Sequence, residues 1–455
     1  MERRHSMPLK KNRDKQSQID DYDIYSFLGK EFRCSYCNKK HYIPTKIVES
    51  KKDAITVFPS LIERVGRGKN ILLLADDITY AVAGEKIERV FKSANWQIEK
   101  LIIRPQGTKK VHAEEKYLPP IFSAVKEKDI LLTVGSGSIT DMGKYAGDIL
   151  GIPVVCFPTA PSMNAYTSGV AALIKNSIKV TLPVTPPEAV IIDTDIILNS
   201  PIDLIQAGFA DSMAKCFANA DWRISSIITG EHFCPLPTKI VTAGEKKYLT
   251  RGRELLNRNE EVISALMDGL LIAGFSMVIA GTSSPASGGE HLLSHYLDMH
   301  AHKRAKEPFA YHGLQVGIGV VVAAKIYEML QDFSIEDVRK RLARREETDH
   351  RKGEHWKDFE KKVPILKALP ASLIQNWDEI GQEIFPTVYS QETVEKCLTE
   401  AGCPTHFSEI GIGRELACQT IMNARYIRDR VTVLDVADEL GILRDVADEI
   451  LQEFR

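Results

Sequence analysis

The pattern of apolar residues changes once along this chain, and that change limits the fold more than any other feature of the sequence. From about Lys52 to Asp193, short β-rich runs alternate with helix-length segments: AITVF, NILLLAD, QIEKLIIR, DILLTVGSG, IPVVCFP and AVIID. Strands separated in this way predict a parallel sheet covered on both faces. Beyond Asp193 the strands give way to long amphipathic runs such as LIQAGFADSMAKCFANADWRIS and VISALMDGLLIAGFSMVIAG, which predict an all-helical half. A chain of 455 residues is too long for one core, since single cores stop growing at roughly 250 to 300 residues. Two domains are therefore expected, α/β over 21–200 and all-helical over 201–455, divided near Ser200-Pro201 where a proline ends the strand half. Residues 1–20 are charged and poor in large apolar side chains, so they are expected to stay unfolded.

Charge balance excludes some partners. With 59 Lys and Arg against 61 Asp and Glu, and a formal net charge of -2, there is no electrostatic footprint for nucleic acid or an anionic membrane. A small neutral or anionic ligand fits better. There is no run of about 18 wholly apolar residues, and Met1 to Lys30 lacks the apolar stretch of a secretory signal, so the expected location is cytoplasmic. Eight cysteines scattered over the chain do not make a disulfide framework and are expected to be mostly free thiols.

The run DILLTVGSGSITDMGKYAG reads as a buried strand, a glycine-rich turn from Gly135 to Ser138, and a helix beginning near Ile139. Unpaired N–H groups and the macrodipole at such a helix start suit a pyrophosphate, and Gly135 and Gly137 allow close approach. The spacing matches neither the full dinucleotide fingerprint nor a P-loop, and a tight strand-to-helix connection needs glycine for backbone reasons alone. Asp76 ends the strand NILLLAD, where a carboxylate suits an adenosine ribose hydroxyl and disfavours a ribose phosphate; Asp77 beside it reads equally well as a helix cap.

Three segments of the helical half carry ligand-type residues: GFADSMAK with Asp211, SGGEHLLSH with His291 and His295, and FAYHGLQVGIG with His312. One carboxylate and two imidazoles suit a divalent zinc, iron, nickel or manganese ion with a position left open for a substrate oxygen. His291 and His295 are four apart and share a helix face, so one can ligate while the other sits over the substrate. Each histidine alone also reads as an ordinary surface or core residue, and Asp211 as a helix N-terminal group. Near the N-terminus, Cys34, Cys37 and His41 form a C-x2-C-x3-H cluster. It supplies three zinc-type ligands where a structural site needs four, so the fourth must come from elsewhere, or the segment is a surface turn carrying free thiols.

Taken in order, GSGSITD, PTAPSMNAYTS, AVIIDTDI, GFADSMAK, DWRIS, PASGGEHLLSH, HGLQVGIG and IRDRVTVLDVADELGIL resemble the superfamily of iron-containing alcohol dehydrogenases, glycerol dehydrogenase and dehydroquinate synthase, over about Phe27 to Leu443. The resemblance is strongest to its sn-glycerol-1-phosphate dehydrogenase branch. It implies a Rossmann-like nucleotide-binding domain followed by an all-helical metal-binding domain, a dehydroquinate synthase-like fold. It implies that Asp211, His291 and His312 hold the metal, with Lys215 standing where the alcohol dehydrogenase branch often has a further histidine. It further implies that Gly135, Gly137 and Ser138, with Asp141 in the same motif, hold the cofactor, while Thr159 and Ser162 approach its nicotinamide half. Lys179 aligns with an active-site lysine, or is a charge at a strand edge. Asn164 replaces an aspartate that borders the substrate in relatives; an amide can hydrogen-bond a hydroxyl but carries no charge.

The implied reaction is NADH- or NADPH-linked reduction of dihydroxyacetone phosphate to sn-glycerol 1-phosphate, with one divalent metal (zinc, nickel or iron) polarising the carbonyl. His295 is the expected proton donor, because its pKa class suits neutral pH, and Lys179 and Lys215 are the candidates for the substrate phosphate. The expected partners are this small phosphorylated substrate and further copies of the chain in a homodimer or larger assembly, without nucleic acid or membrane. Asn164 keeps two alternatives open: a dehydrogenase of another polyol or carbonyl compound, and a nucleotide- and metal-binding relative without turnover. Dehydroquinate synthase itself fits less well, because PTAPSMNAYTSG lacks the longer glycine- and lysine-containing loop of that branch.

Overall fold

The computed structural model describes residues 23–304, 306–345 and 359–454, so the tail expected over 1–20 lies outside the described residues. Ten strands are described: β1 (Glu31–Arg33), β2 (Lys40–Tyr42), β3 (Ile47–Lys51), β4 (Asn70–Asp76), β5 (Gln97–Ile103), β6 (Ile130–Gly135), β7 (Val154–Pro158), β8 (Val170–Lys175), β9 (Ile178–Pro183) and β10 (Ala189–Asp193). Six of them form one parallel sheet in the order β3-β10-β7-β6-β4-β5. β6, β7 and β10 are buried along their whole length, which is why they read as near-continuous apolar runs.

Alternate side chains of β4 supply two cores. Ile71 and Leu73 pack with Ile55 and Phe58 of α1 (Ala54–Glu63) and Phe91 of α2 (Glu85–Ser93). Leu72 and Leu74 pack with Ile121 of α3 (Leu118–Val125) and Met142 of α4 (Gly137–Leu150).

Two local expectations are corrected. AITVF is the start of α1 rather than a strand. Its β-branched residues favour a strand, but Ile55, Phe58 and Ile62 recur at helical spacing and are buried together, and that packing prevails. The strand beside it is β3, whose sequence IVESK carries the charges of a sheet edge. The antiparallel hairpin β8–β9 was not among the expected strands. Its turn is the pair Asn176-Ser177, both at positive φ (50° and 61°), a two-residue connection whose handedness matches strand twist.

From Ile202 onward every regular element of the described residues is helical, led by α5 (Ile202–Met213), α6 (Lys215–Thr229), α7 (Pro235–Glu245), α8 (Glu260–Ala280), α9 (Gly289–Lys303) and α10 (His312–Gln331). By length and composition α8 and α10 pass as bilayer-spanning helices, which qualifies the expectation drawn from unbroken apolar runs. However, 72% and 78% of their apolar windows are buried, so they are core helices of the fold. α5 crosses α10 so closely that a Cβ on Gly313 would lie 1.9 Å from the carbonyl oxygen of Ala207. The N-terminal residues attach to this half and not to the sheet: Ile24, Phe32 and Ile43 pack with Trp222, Leu236, Phe275 and Ile279.

Candidate active site

A cleft of about 1330 Å³ lies where the C-terminal ends of the parallel strands meet the helical half. Its sheet-side wall includes the first turn of α4, which starts at Gly137 with Ser136 as N-cap, two residues before the predicted Ile139. Ser136, Gly137 and Ser138 line the cleft, whereas Gly135 is the buried end of β6 and packs under Ile139. A Cβ on Gly137 would meet Met163 Sδ at 1.9 Å, so a side chain there would have to displace the flexible Met163 thioether from the cleft wall. Thr159 and Ser162 are buried on the same wall, with Ser162 Oγ 3.3 Å from the Tyr166 hydroxyl.

Asp76 lines the far end of the cleft and is itself the helix cap: its Oδ1 accepts from the Thr79 N–H at 2.7 Å. Asp77, the expected cap, instead faces Arg104 Nε at 3.2 Å. Asp141 also lines the cleft, but its carboxylate is engaged, paired with Lys144 at 2.9 Å and accepting from the Ala172 N–H at 3.2 Å. Lys144 in turn donates to Ala165 O and Ser168 Oγ, so the pair ties α4 to the loop that carries Thr159 and Ser162. Burial pushes the Asp141 carboxyl up, against the opposing pull of Lys144.

On the helical side, Asp211 of α5, His291 of α9 and His312 at the start of α10 bring ligand atoms within 4.8 Å of one another. His291 Nε2 is 3.2 Å from Asp211 Oδ1, while its Nδ1 is held by Glu290 Oε1 at 2.8 Å. His312 Nδ1 is held by Ser294 Oγ at 2.9 Å. Each imidazole thus has one nitrogen committed to an orienting partner and Nε2 left for the shared centre, the arrangement of metal-binding histidines. Burial and the Lys179 cation hold His312 at about 3, so its imidazole is neutral. Burial alone would raise the Asp211 carboxyl, but Lys215 and His291 outweigh it and keep it ionised. One carboxylate and two oriented imidazoles are the donor set a divalent cation takes, so the residues fit a metal.

The remaining candidates separate by position. Lys179 lines the cleft, largely buried, and pairs with Asp298 at 2.6 Å, so it is not an exposed charge at a strand edge. Asp298 accepts from Gln315 at 2.7 Å, Gln315 donates to Ser294 at 3.2 Å, and Ser294 holds His312. The hairpin is thereby linked to a metal-type ligand. Lys215 lies behind the set, fully buried, with Nζ 3.0 Å from Asp211 Oδ2 and 3.3 Å from Ala286 O. It is outside the cleft lining, which removes it as a phosphate group's partner and makes it a positioning residue for Asp211. His295 lines the cleft, stacked on His312 with ring centroids 5.4 Å apart, and its Nδ1 has no hydrogen-bond partner among the described residues. Burial, with Lys179 and Arg428 nearby, pushes its pKa well below the usual imidazole range. This corrects the expected ground for its role, because it is a neutral imidazole at pH 7. Asn164 is half-buried next to Met163, which lines the cleft while Asn164 does not.

Sequence reasoning missed Glu290, Ser294, Asp298, His302 and Gln315. Asp298 and His302 were within reach, since His291, His295, Asp298 and His302 recur at helical spacing along one stripe of α9. Glu290 adjoins His291, yet its hold on that ring is a side-chain orientation that no spacing states; Gln315 carried no signal, because its role depends on which helix packs beside it.

Comparison with known proteins agrees with this architecture. The family described as iron-containing alcohol dehydrogenase matches residues 49–201. Glycerol-1-phosphate dehydrogenase (NAD(P)+) of Bacillus subtilis strain 168 is 30% identical over 384 residues, 84% of this chain and 88% of that protein. The protein of the same name from Pyrococcus horikoshii is 31% identical over 278 residues, 61% of this chain and 77% of that one. Among solved structures, glycerol dehydrogenase from Schizosaccharomyces pombe shares the fold with a TM-score of 0.59 at 14% identity, covering 90% of this chain and 91% of its own. A nucleotide-type helix start, an oriented Asp-His-His set and sequence identity carried along most of the chain converge on one assignment: the chain belongs to the glycerol-1-phosphate dehydrogenase family of NAD(P)-dependent oxidoreductases.

Proposed function

We propose that this chain reduces dihydroxyacetone phosphate to sn-glycerol 1-phosphate, reversibly, using NADH or NADPH and one divalent metal. The observation that carries the reading is that one cleft joins the first turn of α4 to His312 of the Asp211–His291–His312 set. A metal held there supplies Lewis-acid polarisation of the substrate carbonyl, and the reduced nicotinamide supplies hydride.

The protein's own groups do the rest. The N–H groups of Gly137 and Ser138 bind the cofactor pyrophosphate, and Thr159 and Ser162 border its nicotinamide half. Asp76 keeps Oδ2 for a ribose hydroxyl while Oδ1 caps the helix, and its charge disfavours a ribose phosphate. Lys179 offers N–H donors to the substrate phosphate, with Asp298 holding it in the cleft. His295 is neutral, so it relays a proton between its two ring nitrogens rather than storing one as imidazolium, with the unpartnered Nδ1 as the atom to be engaged. Asn164, the ground for expecting another carbonyl substrate, stands outside the cleft lining, which supports the phosphate ester.

The test is NADH and NADPH oxidation with dihydroxyacetone phosphate beside dihydroxyacetone, after loading with zinc, nickel, iron or manganese in turn. Metal-dependent turnover of the phosphate ester alone is the expected result. Equal turnover of both compounds would remove the phosphate from the reading, and turnover of neither, with cofactor still bound, would leave a nucleotide- and metal-binding protein.

A further inference from the structure

We propose that the chain holds a second metal, a structural zinc, bound by Cys34, Cys37, His41 and Cys234. The C-x2-C-x3-H segment supplies three ligands from the β1–β2 hairpin, and the fold brings the fourth from the residue before α7, 200 positions after Cys34 in the chain. The four ligand atoms lie within 4.8 Å of one another. Cys34 Sγ is 3.7 Å from Cys234 Sγ, Cys37 Sγ is 3.1 Å from His41 Nε2, and Cys234 Sγ is 4.0 Å from His41 Nε2. Tetrahedral ligands at ordinary zinc bond lengths sit about 3.8 Å apart for two sulfurs and about 3.6 Å apart for sulfur and nitrogen. The sulfur–sulfur separation of 3.7 Å is close to the first value, and the sulfur–nitrogen separations of 3.1 and 4.0 Å bracket the second. They are also far from the roughly 2.05 Å of a disulfide, so a bond between Cys34 and Cys234 does not account for the approach.

The surroundings are arranged for thiolates and an oriented imidazole. The Tyr36 N–H points at Cys34 Sγ at 3.4 Å, and the Lys39 N–H is bonded to the Cys37 sulfur, so each cysteine receives a backbone donor two residues on. Asn38, at φ 58°, turns the chain between those donors and His41. The His41 ring also bonds the backbone carbonyl of Ile279 at the end of α8, which commits its other nitrogen and leaves Nε2 among the sulfurs. Three thiols and an imidazole in a closed set select zinc over harder cations, and four protein ligands leave no open position for a substrate. None of the four lines the cleft, so this centre is separate from the Asp211 set. Its role is to staple the N-terminal hairpin to the helical half, where the small cluster around Phe32, Trp222 and Phe275 is otherwise the main attachment.

The test measures metal content and cobalt spectra of the full chain. After dialysis against a chelator, His291→Ala, whose catalytic set is broken, should retain about one zinc per chain, and Cys37→Ser and Cys234→Ser should each lose it. Cobalt in place of zinc should show thiolate-to-cobalt charge-transfer bands, which the oxygen and nitrogen ligands of the Asp211 set cannot produce. The cobalt spectrum of the unmutated chain decides the matter if the cysteine variants fail to fold. Absence of those bands, unchanged zinc in Cys37→Ser, or a Cys34–Cys234 disulfide seen by non-reducing mass spectrometry overturns the proposal.

Discussion

Lys215 changes what its neighbour one helical turn earlier can do. By holding Asp211 Oδ2 at 3.0 Å it leaves Oδ1, the oxygen near His291 Nε2, as the one turned to the shared centre. Lys215→Met should therefore weaken metal retention by about 10- to 100-fold while added metal restores turnover, as read from activity against free metal concentration. Glu245 is a different kind of buried group: both carboxylate oxygens lack hydrogen-bond partners among the described residues, and burial pushes it up to about 8, against the pull of Lys215. Below about pH 4.5 both folded and unfolded chains carry that proton and there is no penalty. As pH rises from there to about 8, the unfolded chain releases the proton while the folded one keeps it, so stability falls across that window. Glu245→Gln should flatten this dependence, with thermal unfolding curves that coincide near pH 4 and separate in the variant's favour at pH 8. At this scale the sequence was legible wherever a residue type is rare or periodic. The ligands Asp211, His291 and His312 came from motif order, but the buried pairings of Lys215 and Gln315 did not, because tertiary packing creates them.

Helices and strands impose their own constraints, and the closest one is the crossing of α5 and α10. Gly313 follows His312 directly, and a methyl group there would collide with the Ala207 backbone, which cannot swing aside as a side chain would. Gly313→Ala should cost about 1–3 kcal/mol and spread His312 from Asp211. Thermal unfolding with and without metal would then show lower stability together with a smaller metal-induced gain. A loss of stability with an unchanged gain would mean that the crossing bears on packing alone. The fully buried strands were legible as elements because both faces are covered and their sequences are almost wholly apolar, with Thr133 and Asp193 the polar exceptions. AITVF was not, since β-branched residues serve a buried helix face as well as a strand, and only the packing of Ile55, Phe58 and Ile62 decides between them.

The molecule as a whole joins two cores across a cleft, and the reaction proposed here needs both. One side presents the α4 turn, the other three helices converging on one point, so a cation bound there would act as a tie among α5, α9 and α10. Removing that cation should lower the unfolding temperature by a few degrees, because ligand at about 100 times its dissociation constant stabilises the folded state by about 2.7 kcal/mol. Calorimetry before and after chelation checks this, with refilling by the same metal as the control. The change of periodicity near Asp193 made the two halves legible, but not the seat of residues 23–46. Their short strands belong beside Trp222 and Phe275 rather than on the sheet, and nothing in so brief a segment states its partner.

The order of these residues along the chain also sets an order in time. During synthesis the glycine turn at Gly137 can fold with its sheet once Asp193 has emerged, while the third residue of the Asp211 set, His312, arrives more than a hundred residues later. Cys34, Cys37 and His41 leave the ribosome 200 positions or nearly so ahead of Cys234 and wait for it. A nascent chain therefore completes the first turn of α4 before either cluster of metal-type ligands, and its N-terminal hairpin waits for partners about 200 residues further on.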